Sequence, residues 1–295
     1  MDVGIAIPHY GPALSNAADL RRFAVEAERL GYTTLWCGDR LFLPTDLQGD
    51  YPGTDYPIYA ERGNRFADPL TVVGSLAAVT TQIRFNFSTL NAPLHHPVIL
   101  ARALTTLDFL SDGRLDAGFG LGWMRDEYDT LGLPWDQRGA RLDDLLSFLE
   151  AWWTTNPVEY KGLGWSFPRS AVGLRPVQPG GPPIYLAGVT ERALQRAGRR
   201  ATGWLTFDAI PPEVRTTMWT TVQDAAAEAG RDPRQLRQMV RVNGEPGESL
   251  DHIAERLARL ADEGVHEALV DFFFTFTTMA EFLSAAERIA ELKPR

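Results

Sequence analysis

The stretch that decides the fold runs from residue 113 to residue 127 and reads GRLDAGFGLGWMRDE. It is typical of a strand that loses its side chains at its end and then turns into the charged start of a helix. Glycines at 118, 120 and 122 recur with the two-residue period of a strand, so one face of the strand exit lacks Cβ atoms. We expect a flat cofactor ring to lie against this bare backbone, with Gly122 at its border.

Two other interpretations of the glycine run stay open. The glycines could mark only a tight bend at the corner of a barrel. A dinucleotide-binding loop is a weaker alternative, because the Gly-x-Gly-x-x-Gly spacing that starts at Gly118 and Gly120 requires Gly or Ala where this chain has Trp123.

Composition excludes several classes of protein. The chain has 295 residues, of which 44% are hydrophobic and 23% charged, and its formal net charge is −9. A nucleic acid or an anionic membrane surface would on average repel such a chain. Cys37 is its one cysteine, and it has neither a signal-like start nor an apolar run of 18 residues, so we expect a cytoplasmic protein without disulfides.

Hydrophobic periodicity predicts strict alternation of strands and helices. We predict strands at residues 3–8, 33–37, 83–88, 114–120, 184–187, 203–205, 236–242 and 267–272. We predict helices at residues 16–30, 69–79, 97–110, 138–153, 190–200, 212–229, 250–263 and 279–292. Eight parallel strands joined by helices close into a (β/α)8 barrel more readily than they extend an open doubly wound sheet, which is the second choice.

The whole chain, residues 1–295, is thus predicted to be one α/β domain, a TIM barrel. Two segments interrupt the alternation. A long connection spans residues 40–67, and an irregular insertion rich in Gly and Pro spans about residues 154–182, after the fourth strand and its helix.

Active sites of such barrels lie at the carboxyl ends of the strands, so the strand exits supply the candidate residues. His9, Asp39 and Arg40 are candidates for proton transfer or for polarising a substrate, and the alternative is a structural histidine beside a surface ion pair. Residues 187–190 pass from a strand into a helix and form a candidate phosphate site, although Thr190 could be a plain helix cap. Tyr10 could bind substrate, as could Tyr56 and Tyr59 in the long connection, unless that connection is only a surface loop. The five histidines do not combine with Cys or carboxylates at metal-ligand spacing, so no metal is expected.

The sequence resembles the luciferase-like flavin and deazaflavin oxidoreductases. The matching motifs occur in order over roughly residues 1–210: LWCGD (35–39), DPL (68–70), AAVT (77–80), HPVILA (96–101), LDFLSDGRL (107–115), GFGLGW (118–123), DEY (126–128), LGLP (131–134), RGARLD (138–143), PVQP (176–179) and PIY (183–185). The resemblance implies a TIM-type barrel, usually a homodimer, that uses coenzyme F420 or FMN, and the chain looks most like the F420-dependent branch.

The resemblance also implies roles for individual residues. The cofactor ring would lie over a bulge after the third strand, at Ser88 and Thr89, where the family often has a non-proline cis peptide. Trp123 and Asp126 match positions that border the ring and its tail. The phosphate would be held by Ala187, Gly188, Val189 and Thr190, with help from Arg138.

The chain departs from the family pattern at three positions. Arg40 follows Asp39 where a histidine is usual, Ala187-Gly188 replaces Gly-Gly, and Ala201-Thr202 replaces the start of a Gly-Asp-Gly-Trp motif. Arg40 could hold a carboxylate or stabilise oxyanion or enolate charge, but it cannot act as an ordinary acid, so His9 or a tyrosine of the long connection would supply the proton.

The expected activity is hydride transfer between F420 and a small organic substrate. An FMN-dependent luciferase-like monooxygenase is the alternative. A cofactor-free binding or partner subunit on the same fold is the second alternative, and the departures at Arg40 and Ala187 motivate it.

Overall fold

The computed structural model describes residues 1–46 and 65–294. Its strands are β1 (Asp2–Ala6), β2 (Thr34–Cys37), β3 (Arg84–Phe87), β4 (Leu90–Asn91), β5 (Ala117–Gly120), β6 (Val158–Gly162), β7 (Trp165–Ser170), β8 (Ile184–Ala187), β9 (Gly203–Phe207), β10 (Arg237–Asn243) and β11 (Glu267–Asp271). Its α-helices are α1 (Ala17–Arg29), α2 (Pro69–Ala77), α3 (Pro97–Leu110), α4 (Arg125–Thr130), α5 (Arg138–Thr154), α6 (Glu191–Arg200), α7 (Pro212–Glu228), α8 (Leu250–Asp262) and α9 (Met279–Leu292).

Nine of these strands form one parallel sheet in the order β3-β2-β1-β11-β10-β9-β8-β5-β4. The sheet curls until its two ends meet. Near the start of β5, Leu115 pairs with Phe85 of β3, and further along β5 the partner is β4. The predicted α/β barrel is therefore confirmed, and the third of its eight positions is shared by β3 and β4 with a bulge between them.

The two ends of the barrel follow from the parallel strands. We call the end where the strands start the floor and the end where they finish the mouth. Side chains from neighbouring strands fill the interior between them, in a layer that includes Trp36, Tyr185 and Met239. A Cβ atom on Gly4 would lie 2.4 Å from the indole Nε1 of Trp36, so glycine is required in β1 for that ring to cross the barrel.

Side chains cap the starts of two helices that the sequence predicted. The side chains of Asn16 and Thr190 accept hydrogen bonds from backbone N–H groups in the first turns of α1 and α6. The helices pack their apolar sides against the outside of the sheet in one large hydrophobic cluster.

One prediction about the region after β5 was wrong. The insertion at about 154–182 is not wholly irregular, because β6 and β7 form an antiparallel hairpin outside the barrel sheet. Helix α4 begins at the charged helix start that the end of the glycine-rich stretch indicated, but its extent was not predicted. It has only six residues, too few to show a helical period in sequence.

In the described part of the chain, no helix combines the length and the apolar character needed to cross a lipid bilayer.

Candidate active site

The glycine run at the end of β5 serves the packing of strands, which differs from the prediction. A Cβ atom on Gly118 would lie 1.8 Å from the carbonyl oxygen of Phe87, and one on Gly120 would lie 2.3 Å from Oγ1 of Thr89. The bare face is thus covered by the bulge between β3 and β4. Gly122 has a φ of +72°, which glycine adopts readily and other residues do not.

The bulge itself lies where the resemblance placed it. The Ser88–Thr89 peptide is cis. The Ser88 N–H donates to the carbonyl oxygen of Cys37 at 2.8 Å, and Nη1 of Arg241 donates to the Ser88 carbonyl oxygen at 2.7 Å. Strands on both sides of the mouth therefore hold this backbone segment.

Arg40 is part of a buried ion pair. Its Nη1 lies 2.7 Å from Oε2 of Glu127, and the side chains of the two residues are only 7% and 0% exposed. The other carboxylate oxygen of Glu127 accepts the Leu41 N–H at 2.8 Å. The guanidinium also lies over the ring of Trp123, with 4.5 Å between Cζ and the ring centroid. Burial raises the pKa of Glu127 to about 7, against the opposing effects of Arg40 and the Leu41 N–H.

Asp39 holds the segment that follows the bulge. Its Oδ2 accepts the Asn91 N–H at 2.8 Å, and its carbonyl oxygen accepts Nδ2 of Asn91 at 3.1 Å. Nε2 of His95 lies 3.6 Å from the same carboxylate. The imidazole that is missing next to Asp39 in the sequence thus reaches it from a different part of the chain.

His9 is buried among backbone groups. Its Nδ1 lies 2.8 Å from the carbonyl oxygen of Ile7, and its Nε2 lies 2.8 Å from that of Gly38. Burial lowers the pKa of His9, and the two carbonyl contacts oppose that effect. Both nitrogens face the protein's own backbone, which favours the structural interpretation, although the catalytic assignment stays a prediction.

Tyr10 belongs to a polar network between β1, β10 and β11. Its hydroxyl donates to Oδ2 of Asp271 at 3.0 Å, and Nη2 of Arg241 donates to the Tyr10 oxygen at 3.3 Å. Arg241 and Asp271 form a salt bridge, and Nε of Arg241 donates to Oδ1 of Asn243 at 2.8 Å. Arg241 therefore connects the phenol to the Ser88 carbonyl.

An aromatic wall stands beside this network. The Tyr10 ring lies 4.6 Å from that of Phe273, and Phe273 lies 4.8 Å from Phe274. Trp123 and Leu43 pack against the same pair. Both phenylalanines are buried, so the wall is an apolar surface directly beside the polar network.

Residues 187–190 form a tight turn into α6. Gly188 has a φ of +140°, and a Cβ atom there would lie 2.5 Å from Cβ of Ala193. Nε1 of Trp204 donates to the Gly188 carbonyl oxygen at 2.8 Å. Thr190 caps the helix, and Val189 is 40% exposed. This arrangement leaves a helix amino terminus facing outward, and it is compatible with both predicted roles.

Arg138 and Asp126 lie at neighbouring helix starts. The Arg138 guanidinium covers the ring of Trp135 at 3.9 Å and donates to the Trp135 carbonyl oxygen at 2.7 Å. Asp126 is in the first turn of α4. An ion pair between Arg196 and Asp143 ties α6 to α5, the helix that starts at Arg138.

Tyr56 and Tyr59 lie outside the described residues, so their predicted role in substrate binding stays a prediction. Among residues 1–46 and 65–294, no group of three or more His, Cys, Asp or Glu side chains is arranged to hold a metal ion.

Sequence reasoning missed Glu127 and Arg241 as functional residues and also the aromatic pair at 273–274. The triplet Phe272-Phe273-Phe274 directly after a predicted strand was a usable signal for the pair. Glu127 and Arg241 gave no such signal, because their partners are 87 and 30 residues away in the chain.

Comparison with known proteins agrees with this geometry. An uncharacterised protein of Mycobacterium tuberculosis (strain ATCC 25618 / H37Rv) is 34% identical over 245 residues, which cover 82% of this chain and 83% of that protein. The fold is similar to the monooxygenase RslO1 from Streptomyces bottropensis, with a TM-score of 0.81, 20% identity and coverage of 99% and 98%. It is also similar to an F420-dependent secondary alcohol dehydrogenase in complex with an F420-acetone adduct, with a TM-score of 0.80, 16% identity and coverage of 100% and 99%.

The family description of luciferase-like monooxygenases matches residues 1–293. With the barrel, the bulge after β3 and the polar mouth in place, this match over nearly the whole length means that the chain belongs to the luciferase-like monooxygenase family.

Proposed function

We propose that the protein is an F420-dependent oxidoreductase that transfers a hydride between the deazaflavin and a small organic substrate. The observation that carries the proposal is the pairing, at one mouth, of a backbone ledge held from both sides with an aromatic wall. Ser88 and Thr89 form the ledge, and Tyr10, Phe273 and Trp123 belong to the wall. A planar ring fits between flat apolar walls that carry a few fixed polar groups.

The residues present fit the parts of such a cofactor. Ser88, Thr89 and Gly122 would border the ring, and Trp123 and Asp126 would border the ring and its tail. The phosphate would be held at the amino terminus of α6 by residues 187–190, where backbone N–H groups and the helix dipole favour an anion, with Arg138 nearby. Gly188 suits this role because its missing Cβ lets the turn lie against Ala193.

F420, when bound, supplies a ring carbon that carries hydride and does not readily activate oxygen. The protein has to orient the substrate, exclude water and hold a proton. Tyr10 is the proton-bearing group best placed for this last task, because its hydroxyl is hydrogen bonded to Asp271 and approached by Arg241. A proton that leaves the Tyr10 hydroxyl for the substrate would be replaced from solvent water, and Arg241 would stabilise the phenolate until then.

An FMN-dependent monooxygenase is the second candidate. The family description and the similarity to the monooxygenase RslO1 favour it. The buried aromatic side chains Phe273 and Phe274 would shield an oxygen-reactive ring from water, as that chemistry requires.

We also propose that the chain is a cytoplasmic homodimer. A second copy of the chain would cover Phe109, Leu110 and Val177, each of which is more than half exposed. Light scattering of the purified protein checks the dimer.

Titration with F420 and with FMN, each in oxidised and reduced form, tests the proposal by calorimetry and cofactor fluorescence. Selective binding of F420 with a Kd in the micromolar range, about −8 kcal/mol, is the expected result. Preference for FMN together with oxygen consumption would establish the monooxygenase instead. Binding of neither cofactor by a folded protein would favour the cofactor-free binding or partner subunit.

A further inference from the structure

The Arg40 guanidinium has a buried hydrogen-bond donor without an acceptor among the described residues. Its Nη1 is bound to Glu127, while its Nε is buried and has no acceptor among the described residues. The whole side chain is 7% exposed, so bulk water does not satisfy this N–H. Buried donors in folded proteins almost always have an acceptor, and a ligand oxygen is the natural one at a barrel mouth.

The charge of Arg40 is already matched. Glu127 binds it directly, and the carboxylates of Asp39 and Asp126 are close enough to raise the pKa of Glu127 further. His95 faces Asp39 from the next segment. The nearby cation Arg241 is paired with Asp271. Arg40 and Arg241, the two arginines beside Ser88 and Trp123, are thus each paired with a carboxylate and offer hydrogen-bond donors without surplus positive charge, which disfavours an anionic substrate at this place.

The position of Arg40 is fixed by two contacts of different kinds. Trp123 supports one face of the guanidinium, and Glu127 holds its edge. The carboxylate that holds Arg40 also accepts the Leu41 N–H, so the charge and the backbone beside it are held together.

We infer that Glu127 is a positioning residue that neutralises Arg40 and aims its Nε–H at an uncharged carbonyl or hydroxyl oxygen of the substrate. The site then selects neutral ketones or alcohols over 2-oxo acids. The assignment of this oxygen to a substrate rests on the proposed oxidoreductase function. An Arg40 that is neutralised by Glu127 does not bind a substrate carboxylate, which is the role that the sequence left open for it.

Acetone and pyruvate test this selection, because pyruvate replaces one methyl group of acetone with a carboxylate. Nitrogen–proton NMR spectra of the cofactor-free protein report the Nε–H signal of Arg40, which is identified by its loss in Arg40→Lys. At about pH 8, where Glu127 is mostly ionised, we expect acetone to shift this signal and pyruvate to leave it in place. The Nε–H of Arg84, bound to Asp116 at the floor, is the internal control and should not move with either ligand.

Glu127→Gln tests the positioning role. The variant keeps the shape of the side chain but leaves the Arg40 charge unmatched, so the ratio of pyruvate to acetone affinity should rise by at least about tenfold. Asp129→Asn removes an exposed carboxylate of the same helix, paired with Arg125, and should leave the ratio unchanged.

Acidification of the wild-type protein gives the same information if Glu127→Gln does not fold. Protonation of Glu127 below about pH 7 should bring pyruvate binding at Arg40 without any substitution. An Arg40 signal that ignores acetone, or a pyruvate preference at about pH 8, overturns the inference. Because no cofactor is present, neither result decides whether F420 binds, which the cofactor titration settles separately.

Discussion

The floor and the mouth of this barrel each contain an arginine paired with a buried carboxylate, but they use these pairs differently. At the floor, Nε and Nη2 of Arg84 donate to Asp116, and the remaining donor finds the carbonyl oxygen of Gly113 at 3.3 Å. At the mouth, Arg40 has one ion-pair contact and an Nε without an acceptor among the described residues. An arginine whose nitrogens all donate to acceptors stabilises the fold. A buried N–H without an acceptor costs stability, and it is kept where a ligand can accept its hydrogen bond.

Arg114, also at the floor, has hydrogen-bond acceptors for all three of its side-chain nitrogens. Its nitrogens donate to the carbonyl oxygens of Ala77, Thr80, Ile83 and Ser111 and to the Thr80 hydroxyl. This one side chain thereby ties the ends of α2 and α3 to the barrel. In (β/α)8 barrels the floor generally serves stability and the mouth serves chemistry.

The largest effect is expected from Gly118→Ala, which would break the mouth itself. The new methyl group would lie 1.8 Å from the Phe87 carbonyl oxygen and 2.9 Å from Oδ1 of Asn86, and neither strand can move without opening the barrel. We expect a loss of more than about 4 kcal/mol in unfolding free energy, measured by urea denaturation, or failure to fold. Gly173→Ala is the control, because a Cβ there meets nothing within 4 Å, and it should change stability by less than about 0.5 kcal/mol.

Asp271→Asn and Asp116→Asn compare the two ends directly. Each removes the charge of a buried carboxylate that is paired with an arginine, and Asp271 also accepts the Tyr10 hydroxyl and the Phe273 N–H. Both variants should lose roughly 1.5–3 kcal/mol of unfolding free energy, because the new amide nitrogen cannot accept a hydrogen bond from the arginine. Only Asp271→Asn should also weaken F420 binding in a fluorescence titration. Equal effects of the two variants on binding would remove the distinction between mouth and floor.

Glu267→Gln sharpens the description of the floor through pH. Burial raises the pKa of Glu267 from 4.5 to about 7 in the folded protein. Between these two pH values the folded protein holds a proton that the unfolded chain has released. The contribution of Glu267 to the unfolding free energy is therefore complete below about pH 4.5 and is lost as the pH rises through about 7. The glutamine variant keeps an acceptor for Nε1 of Trp36, and at about pH 8 it should be roughly 1–3 kcal/mol more stable than the wild type.

The measurement for Glu267→Gln is the unfolding free energy as a function of pH. Glu291→Gln, at an exposed position of α9, should reproduce the wild-type curve. A glutamine variant that loses stability as steeply as the wild type between pH values of about 5 and 8 would show that Glu267 is ionised in the fold.

The smallest effect concerns helix caps. Thr190 caps α6 and Ser249 caps α8 through the same side-chain contact, so Thr190→Ala and Ser249→Ala should each cost about 1 kcal/mol in thermal or urea unfolding. Only Thr190→Ala should weaken F420 binding, by about threefold to tenfold, if the amino terminus of α6 holds the phosphate. Identical F420 affinities in the two variants would reduce Thr190 to a helix cap.

The sequence predicted the barrel because its evidence is local. Apolar runs between Gly and Pro marked the strands, and Asn16 and Thr190 marked helix starts. It predicted the candidate site less completely, since pairs such as Arg40 with Glu127 exist only after distant segments have met. The role of Gly118 was misjudged for the same reason: a strand exit without side chains says nothing about which atoms will fill the space.

The hairpin was missed although its signal was present. Val158 and Tyr160 alternate with the polar Glu159 and Lys161, which is the two-residue period of a strand. The glycines and prolines around them suggested an irregular segment, and five residues gave the alternation little weight. Local turn chemistry at Gly164, with a φ of +79°, completes the hairpin.

Asp144 attaches the hairpin to the barrel from outside the barrel sheet. This side chain of α5 accepts the Tyr160 hydroxyl, the Leu163 N–H and Nε1 of Trp165, while no strand of the barrel pairs with β6 or β7. The hairpin is held by contacts with this side chain and by apolar packing. Such a segment can become longer or shorter, or be exchanged between related genes, while the pairing of the barrel strands stays the same. The shape of the protein surface can therefore diverge at this place while the residues of the mouth keep their positions.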